Sequence, residues 1–226
     1  MRNFIVVFAS CIFFTCTNIA SAQFSLVTTA ASDGAVVDGA PFDGAFETVD
    51  SNNNPEARSL FGQSGQIFRS RGIFEFEIPT NLSGQAISNV QIDLRSVGFD
   101  PGVATFFLYS GNGSVETDDA TETVGALGSY LVPDRGTGSP IGNDFIQDLP
   151  FADFQFLLDS GASHFGIRFE VPNDDTFVTF LSVENSVVVG QSSFAPTLII
   201  STVPEPTCTV LLCGLGVVFA CQRRRR

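Results

Sequence analysis

Ile73-Phe74-Glu75-Phe76-Glu77-Ile78 alternates apolar and acidic side chains. Successive side chains of an extended chain point to opposite sides, so Phe74, Phe76 and Ile78 share one face and Glu75 and Glu77 the other. That period of two predicts a half-buried strand. Val90-Gln91-Ile92-Asp93-Leu94-Arg95 and Phe165-Gly166-Ile167-Arg168-Phe169-Glu170-Val171 repeat it, and further strands are expected over 24–29, 103–109, 176–183 and 197–202. Between them stand the turn formers Asp100-Pro101-Gly102, Gly111-Asn112-Gly113, Pro133-Asp134-Arg135-Gly136 and Pro172-Asn173-Asp174-Asp175. Many short strands punctuated this way predict an all-β, antiparallel β-sandwich of jelly-roll type. One short helix is expected over 151–160, where Phe151, Phe154, Leu157 and Leu158 keep helical spacing and Gly161 follows as a stop.

The two ends read as delivery signals. Residues 1–22 open with Arg2, continue through an apolar run over 4–14, and finish at Ala20-Ser21-Ala22 before Gln23, the order of parts in an export signal cut between Ala22 and Gln23 by a signal peptidase. Lipidation at Cys11 is the weaker alternative, because few apolar residues precede it. At the other end Val203-Pro204-Glu205-Pro206 is followed by an uncharged, largely apolar stretch over 207–222 and then Arg223-Arg224-Arg225-Arg226. That stretch is shorter than the roughly 20 residues of a comfortable span, but it can cross as a transmembrane helix if the arginines reach back to the headgroups and the bilayer thins. Four arginines favour the cytoplasmic side, which leaves the preceding domain outside. The expected division is therefore a signal helix over 1–22, a β-sandwich over 23–202 and a membrane-anchoring tail over 203–226.

The tail resembles the PEP-CTERM sorting signal, also described as an ice-binding-protein C-terminal motif: Pro204-Glu205-Pro206, an apolar helix, then a terminal arginine cluster. The resemblance implies an exosortase-like processing enzyme as a partner, a transient stay in the inner membrane, and delivery to the cell surface or extracellular matrix of a biofilm. The ice-binding label belongs to the tail and implies no activity.

Cysteine placement matches this division, since Cys11, Cys16, Cys208, Cys213 and Cys221 all lie in the end segments. The central domain is expected to hold without disulfides or thiol-bound metal. With 24 Phe, no Trp and 2 Tyr in the chain, its core is expected to be rich in phenylalanine. Setting aside Arg2, Glu205 and the four terminal arginines leaves six arginines and no lysine against 23 acidic residues. Such an excess of negative charge argues against binding nucleic acid or anionic lipid.

The central domain is also similar to the bacterial DNRLRE-type domain. The similar segments are Arg71-Gly72-Ile73-Phe74-Glu75-Phe76, Ile87-Ser88-Asn89-Val90-Gln91-Ile92-Asp93-Leu94, Phe180-Leu181-Ser182-Val183-Glu184 and Pro196-Thr197-Leu198-Ile199-Ile200. That resemblance implies a jelly roll like those of carbohydrate-binding modules. Val183 stands where the family carries an arginine, and Glu75 lies within the first strand, so no binding residue is carried over.

Candidate chemistry is sparse. His164, the sole histidine, falls on the outward side of its strand, and no Gly-x-Ser-x-Gly elbow occurs in 23–202, so no catalytic residue is assigned. Glu75 and Glu77 lie at i and i+2, roughly 6 to 7 Å apart on one strand face, a spacing open to a glycosidase pair. The plainer expectation is two solvated acids on an edge strand, with Arg69 or Arg71 paired to Glu75 or Glu184. Asp33-Gly34-Ala35, Asp38-Gly39-Ala40 and Asp43-Gly44-Ala45 recur every five residues, with further oxygen donors in Asp50-Ser51-Asn52-Asn53-Asn54. Turn-forming Asp-Gly pairs are the favoured reading and a structural calcium loop the alternative, although the EF-hand spacing is absent; Asp118-Asp119 and Asp174-Asp175 are read the same way. No metal or other cofactor is assigned. The expected function is non-catalytic association with exopolysaccharide or the envelope. The alternative is a secreted polysaccharide-active hydrolase. Sugar-binding modules commonly use exposed Trp or Tyr rings, which are scarce in this chain.

Overall fold

The computed structural model describes residues 24–39, 45–50, 54–58, 69–98, 101–136, 142–172, 177–188 and 194–203. The expected signal helix, its cut at Ala22-Gln23, the Pro204-Glu205-Pro206 motif, the apolar stretch and the arginine cluster lie outside them. Among the described residues no helix is long and apolar enough to cross a membrane.

Among the described residues eleven strands run in chain order: β1 Phe24–Asp38, β2 Thr48–Asp50, β3 Glu56–Arg58, β4 Arg69–Glu77, β5 Ala86–Ser96, β6 Gly102–Gly111, β7 Gly125–Val132, β8 Asn143–Leu149, β9 His164–Glu170, β10 Phe177–Thr179 and β11 Thr197–Val203. Among the same residues two α-helices interrupt them, α1 Ala152–Ser160 and α2 Val183–Val188. The main sheet follows the order β7-β6-β9-β4-β1-β11-β5-β8, with β2 on β1 and β3 bridging β4 to β10. The β1–β4, β4–β9, β6–β9, β6–β7 and β5–β8 ladders are antiparallel. The two ends of this order lean together: Tyr130 of β7 packs its ring against Phe145 of β8 at 6.4 Å, and its hydroxyl, which donates to the Leu127 carbonyl at 2.8 Å, lies 3.4 Å from the Asp148 carbonyl. The sheet therefore nearly closes on itself, a sandwich-like all-β body.

Strand alternation places the core as expected. Phe74 and Phe76 of β4, Phe106 of β6, Phe145 of β8, Phe165 and Phe169 of β9 and Phe180 all point inward and are almost fully buried. Phe169 sits at the centre, 5.7 Å from Phe74, 5.6 Å from Phe106 and 5.0 Å from Phe180 between ring centroids. Offset and edge-on aromatic pairs of this kind add about 0.5–1.5 kcal/mol each beyond the area they bury. α1 buries Phe154 and Leu157 and ends at Gly161, whose φ of 80° is the left-handed conformation glycine adopts without a Cβ penalty.

Several expectations are corrected. β4 lies between β1 and β9 and is no edge strand. The first strand runs to Asp38, well past 29, and carries Asp33-Gly34 inside the β1–β4 ladder, where Asp33 faces Phe74 and Asp38 faces Arg69. Neither a turn nor an ion-binding loop is present there; Asp43, Asn52 and Asn53 lie outside the described residues, as do Asp174 and Asp175. The strand expected over 176–183 stops at Thr179, because Ser182 begins α2 by accepting the Asn185 N–H at 3.1 Å. Periodicity did not point to β7 and β8: glycine and polar residues dilute the alternation of Gly125–Val132, and Asn143–Leu149 shows only two buried positions.

Candidate functional site

The outward face of β4, β9 and β6 is covered rather than solvated. Glu75 belongs to that face by alternation, yet it is fully buried. Chain leaving β6 folds back over it: Glu75 Oε1 accepts the Tyr109 hydroxyl at 2.8 Å, and Oε2 accepts the backbone N–H of Asn112 at 3.0 Å and that of Gly113. Gly111 makes the close approach possible, since a Cβ there would lie 2.7 Å from the Glu75 carboxyl carbon. Gly166, opposite both Glu75 and Tyr109 in the two ladders, leaves room for the tyrosine ring, which a Cβ would meet at 2.2 Å.

Two arginines on the same face hold the rest of the covering segment. Arg71 and Arg168 both donate to the Ala120 carbonyl, and Arg168 also donates to the Glu122 carbonyl at 3.2 Å and to Thr123 Oγ1 at 3.0 Å. Arg71 Nε lies 2.8 Å from Glu170 Oε2, an ion-pair contact across the β4–β9 ladder. Their guanidinium planes cover Phe46 and Phe107 at 4.8 and 4.6 Å, which gives each cation a second, π-face partner. Burial pulls both arginines below their usual range, but arginine stays charged after such a shift. A small apolar cluster of Val36, Phe46, Ile73, Tyr109 and Ala120 packs among these groups.

Asp119 completes the arrangement. It is buried in the 3-10 turn Asp118–Ala120, where its Oδ2 accepts the Glu116 N–H at 2.7 Å. Burial, and next the neighbouring Glu75, Glu122 and Glu116, push its carboxyl up to about 7 against that hydrogen bond. Burial likewise raises the Tyr109 phenol, with Glu75 adding to the effect. On the opposite side of the sheet Asp33 accepts the Val183 N–H at 2.8 Å and so ties β1 to α2; burial, and then Glu184, push it up to about 7 against that bond. Asn54 Oδ1 joins the same junction by accepting the Ser182 N–H and the Asn185 amide.

The expected site residues thus separate. Glu77 is exposed at the end of β4 while Glu75 is sealed beneath Tyr109, so the two share an alternation phase but no environment. Arg71 pairs with Glu170, not with Glu75 or Glu184. His164, half-buried, lies 3.0 Å through Nδ1 from Ser163 Oγ. Among the described residues no three His, Cys, Asp or Glu side chains are placed to hold a metal ion. Asp119 lies in a turn, as the Asp118-Asp119 pair suggested, but its burial is not legible in the sequence, and neither is the role of Tyr109 or Arg168; the available signal is glycine at 111 and 166, where strands facing an acid or a tyrosine lack side chains. No family model matches this chain, and no curated protein matches it.

A pH dependence follows from the two raised acids. Asp33 and Asp119 titrate near 7 in the folded chain and near 3.8 otherwise, so between about pH 4 and 7 the folded state binds more protons and loses stability as pH rises. Each pKa unit corresponds to about 1.4 kcal/mol, so each group is expected to cost about 2–4 kcal/mol by pH 8. Urea midpoints are expected to be higher at pH 5 than at pH 8, and Asp33→Asn with Asp119→Asn, which keep an acceptor for each N–H, should flatten that slope. An unchanged slope in the double variant would contradict the assignment.

Proposed function

We propose that this chain is an exported surface or matrix protein, sorted by its PEP-CTERM-like tail, whose β-sandwich associates with exopolysaccharide or the envelope without catalysis. Signal peptidase and an exosortase-like enzyme are its processing partners, and the inner membrane is its transient station. The observation that supports the non-catalytic reading is the employment of Glu75. Its carboxylate accepts one hydroxyl and two backbone N–H groups beneath a covering segment, whereas a general acid or base must reach the proton it moves. The acidic, lysine-free domain suits a hydrated polymer outside the cell more than a polyanion.

The test is a panel of immobilised polysaccharides probed with the protein recovered from the envelope and medium of expressing cells, scoring retention and the release of reducing ends. Retention without release is the expected outcome. Release that disappears in Glu75→Gln would establish the hydrolase instead, and protein found only in the cytosol would refute the export reading.

A further inference from the structure

Strand direction gives the sandwich two distinct ends. β1 begins, β4 ends, β5 begins, β8 ends and β11 ends at one of them, as the pairings Ala30 with Phe76, Glu77 with His164 and Val90 with Leu149 require. The Ser25 hydroxyl meets that of Ser201 at 3.1 Å, and the Ser88 hydroxyl donates to the Ser201 carbonyl, which places Val203 at this same end. α1 lies across it: Gln155 accepts the Ile87 N–H at 2.7 Å, and the Asp153 carboxylate fills the space that a side chain on Gly125 would take.

This end carries apolar surface that the fold does not use. Phe156, on a helix already anchored by Phe154 and Leu157, is 61 % exposed, and Phe151, just before that helix, is 44 % exposed. Val124, 39 % exposed, immediately precedes Gly125, and Val27, 61 % exposed, lies near the start of β1. The rim is acidic, with Glu77 and Asp159 exposed. Of the described arginines, Arg69 and Arg71 open β4, Arg95 closes β5 and the Arg135 N–H reaches Gly98, all in the other half of the body, while Arg168 is buried and held by the Glu122 carbonyl and Thr123 Oγ1.

We propose that this end is a lipid-docking face, with Phe151 and Phe156 entering the interfacial region of a bilayer of zwitterionic headgroups. The inference rests on the reading that 207–222 enters a membrane. Only Pro204-Glu205-Pro206 separate Val203 from that stretch, and four residue steps of fully extended chain reach about 14 Å. A tether so short confines the end bearing α1 to the membrane surface, where exposed phenylalanine is favourably placed. The acidic rim selects uncharged over anionic surfaces.

The chain contains no tryptophan, so Phe156→Trp introduces a single reporter. Full-length Phe156→Trp in phosphatidylcholine vesicles is expected to float with the lipid, to emit further to the blue than in detergent-free buffer, and to be quenched by lipids brominated near the headgroup. A Leu131→Trp reporter, at the far end of β7, is expected to be quenched several-fold less. Equal quenching of the two reporters in floating protein would overturn the docking face while leaving the anchor intact. Protein that does not float would overturn the anchor and the docking face with it. A blue shift that grows with protein concentration in the absence of lipid would assign the face to a second copy of the chain and refute the lipid. Phosphatidylglycerol vesicles should give weaker quenching; stronger quenching there would also count against the proposal.

Discussion

Glu75→Ala lowers the unfolding free energy by about 3–5 kcal/mol. The carboxylate accepts the buried Tyr109 hydroxyl and the N–H groups of Asn112 and Gly113, and a buried donor left without its partner costs about 1–3 kcal/mol. The tyrosine cannot reach water, because it is fully buried over Gly166. The two backbone donors can be rehydrated only if the segment over 112–124 lifts from the sheet, which would also loosen the contacts of Arg71 and Arg168 with Ala120. Glu75→Gln keeps one acceptor but sets an amide nitrogen against a donor, so it should fall between the parent and the alanine variant. Urea unfolding provides the free energies, and amide hydrogen exchange at Asn112 and Gly113 provides the local readout, expected to speed up in both variants. An alanine variant within about 0.5 kcal/mol of the parent, the range of ordinary surface substitutions, would mean that this carboxylate does not hold the covering segment.

Gly72→Ala is the second change expected to be severe, at about 3 kcal/mol or more. A Cβ at Gly72 would lie 2.0 Å from Cζ and 2.1 Å from Cε1 of Phe169, its partner across the β4–β9 ladder. Overpacking commonly costs about 1–3 kcal/mol when neighbours can yield. Phe169 has little freedom to yield, since its ring is enclosed by Phe74, Phe106 and Phe180. The clash belongs to the ring, so Phe169→Leu should partly relieve it. The double variant is expected to be more stable than the sum of the two single effects predicts, the coupling a double-mutant cycle measures. Strict additivity, or a Gly72→Ala protein as stable as the parent, would show that the aromatic cluster is not packed around this glycine.

Both predictions concern residues whose strand was legible and whose surroundings were not. Alternation over 73–78 correctly put Phe74 and Phe76 inside and Glu75 on the other face, because the direction of a side chain is a local property of extended backbone. Whether that other face meets water depends on what folds over it. Here the cover is the segment after β6, some 40 residues away in sequence, and Phe46 from the other direction. The Asp-Gly repeat misled for a related reason: Asp33-Gly34 has turn propensity, but pairing with β4 and the Val183 N–H hold it in a ladder.

Composition and periods within a dozen residues suffice for the all-β class, the phenylalanine core, the short helix ending at Gly161 and the acidity of the domain. The assembled fold is needed to see that β4 is an interior strand, that Glu75 and Asp119 are buried, that Arg71 meets Glu170, and that α1 shares an end of the body with Ser201 of β11. Those outcomes depend on which distant strands become neighbours, and a period of two carries no information about the partner across a ladder.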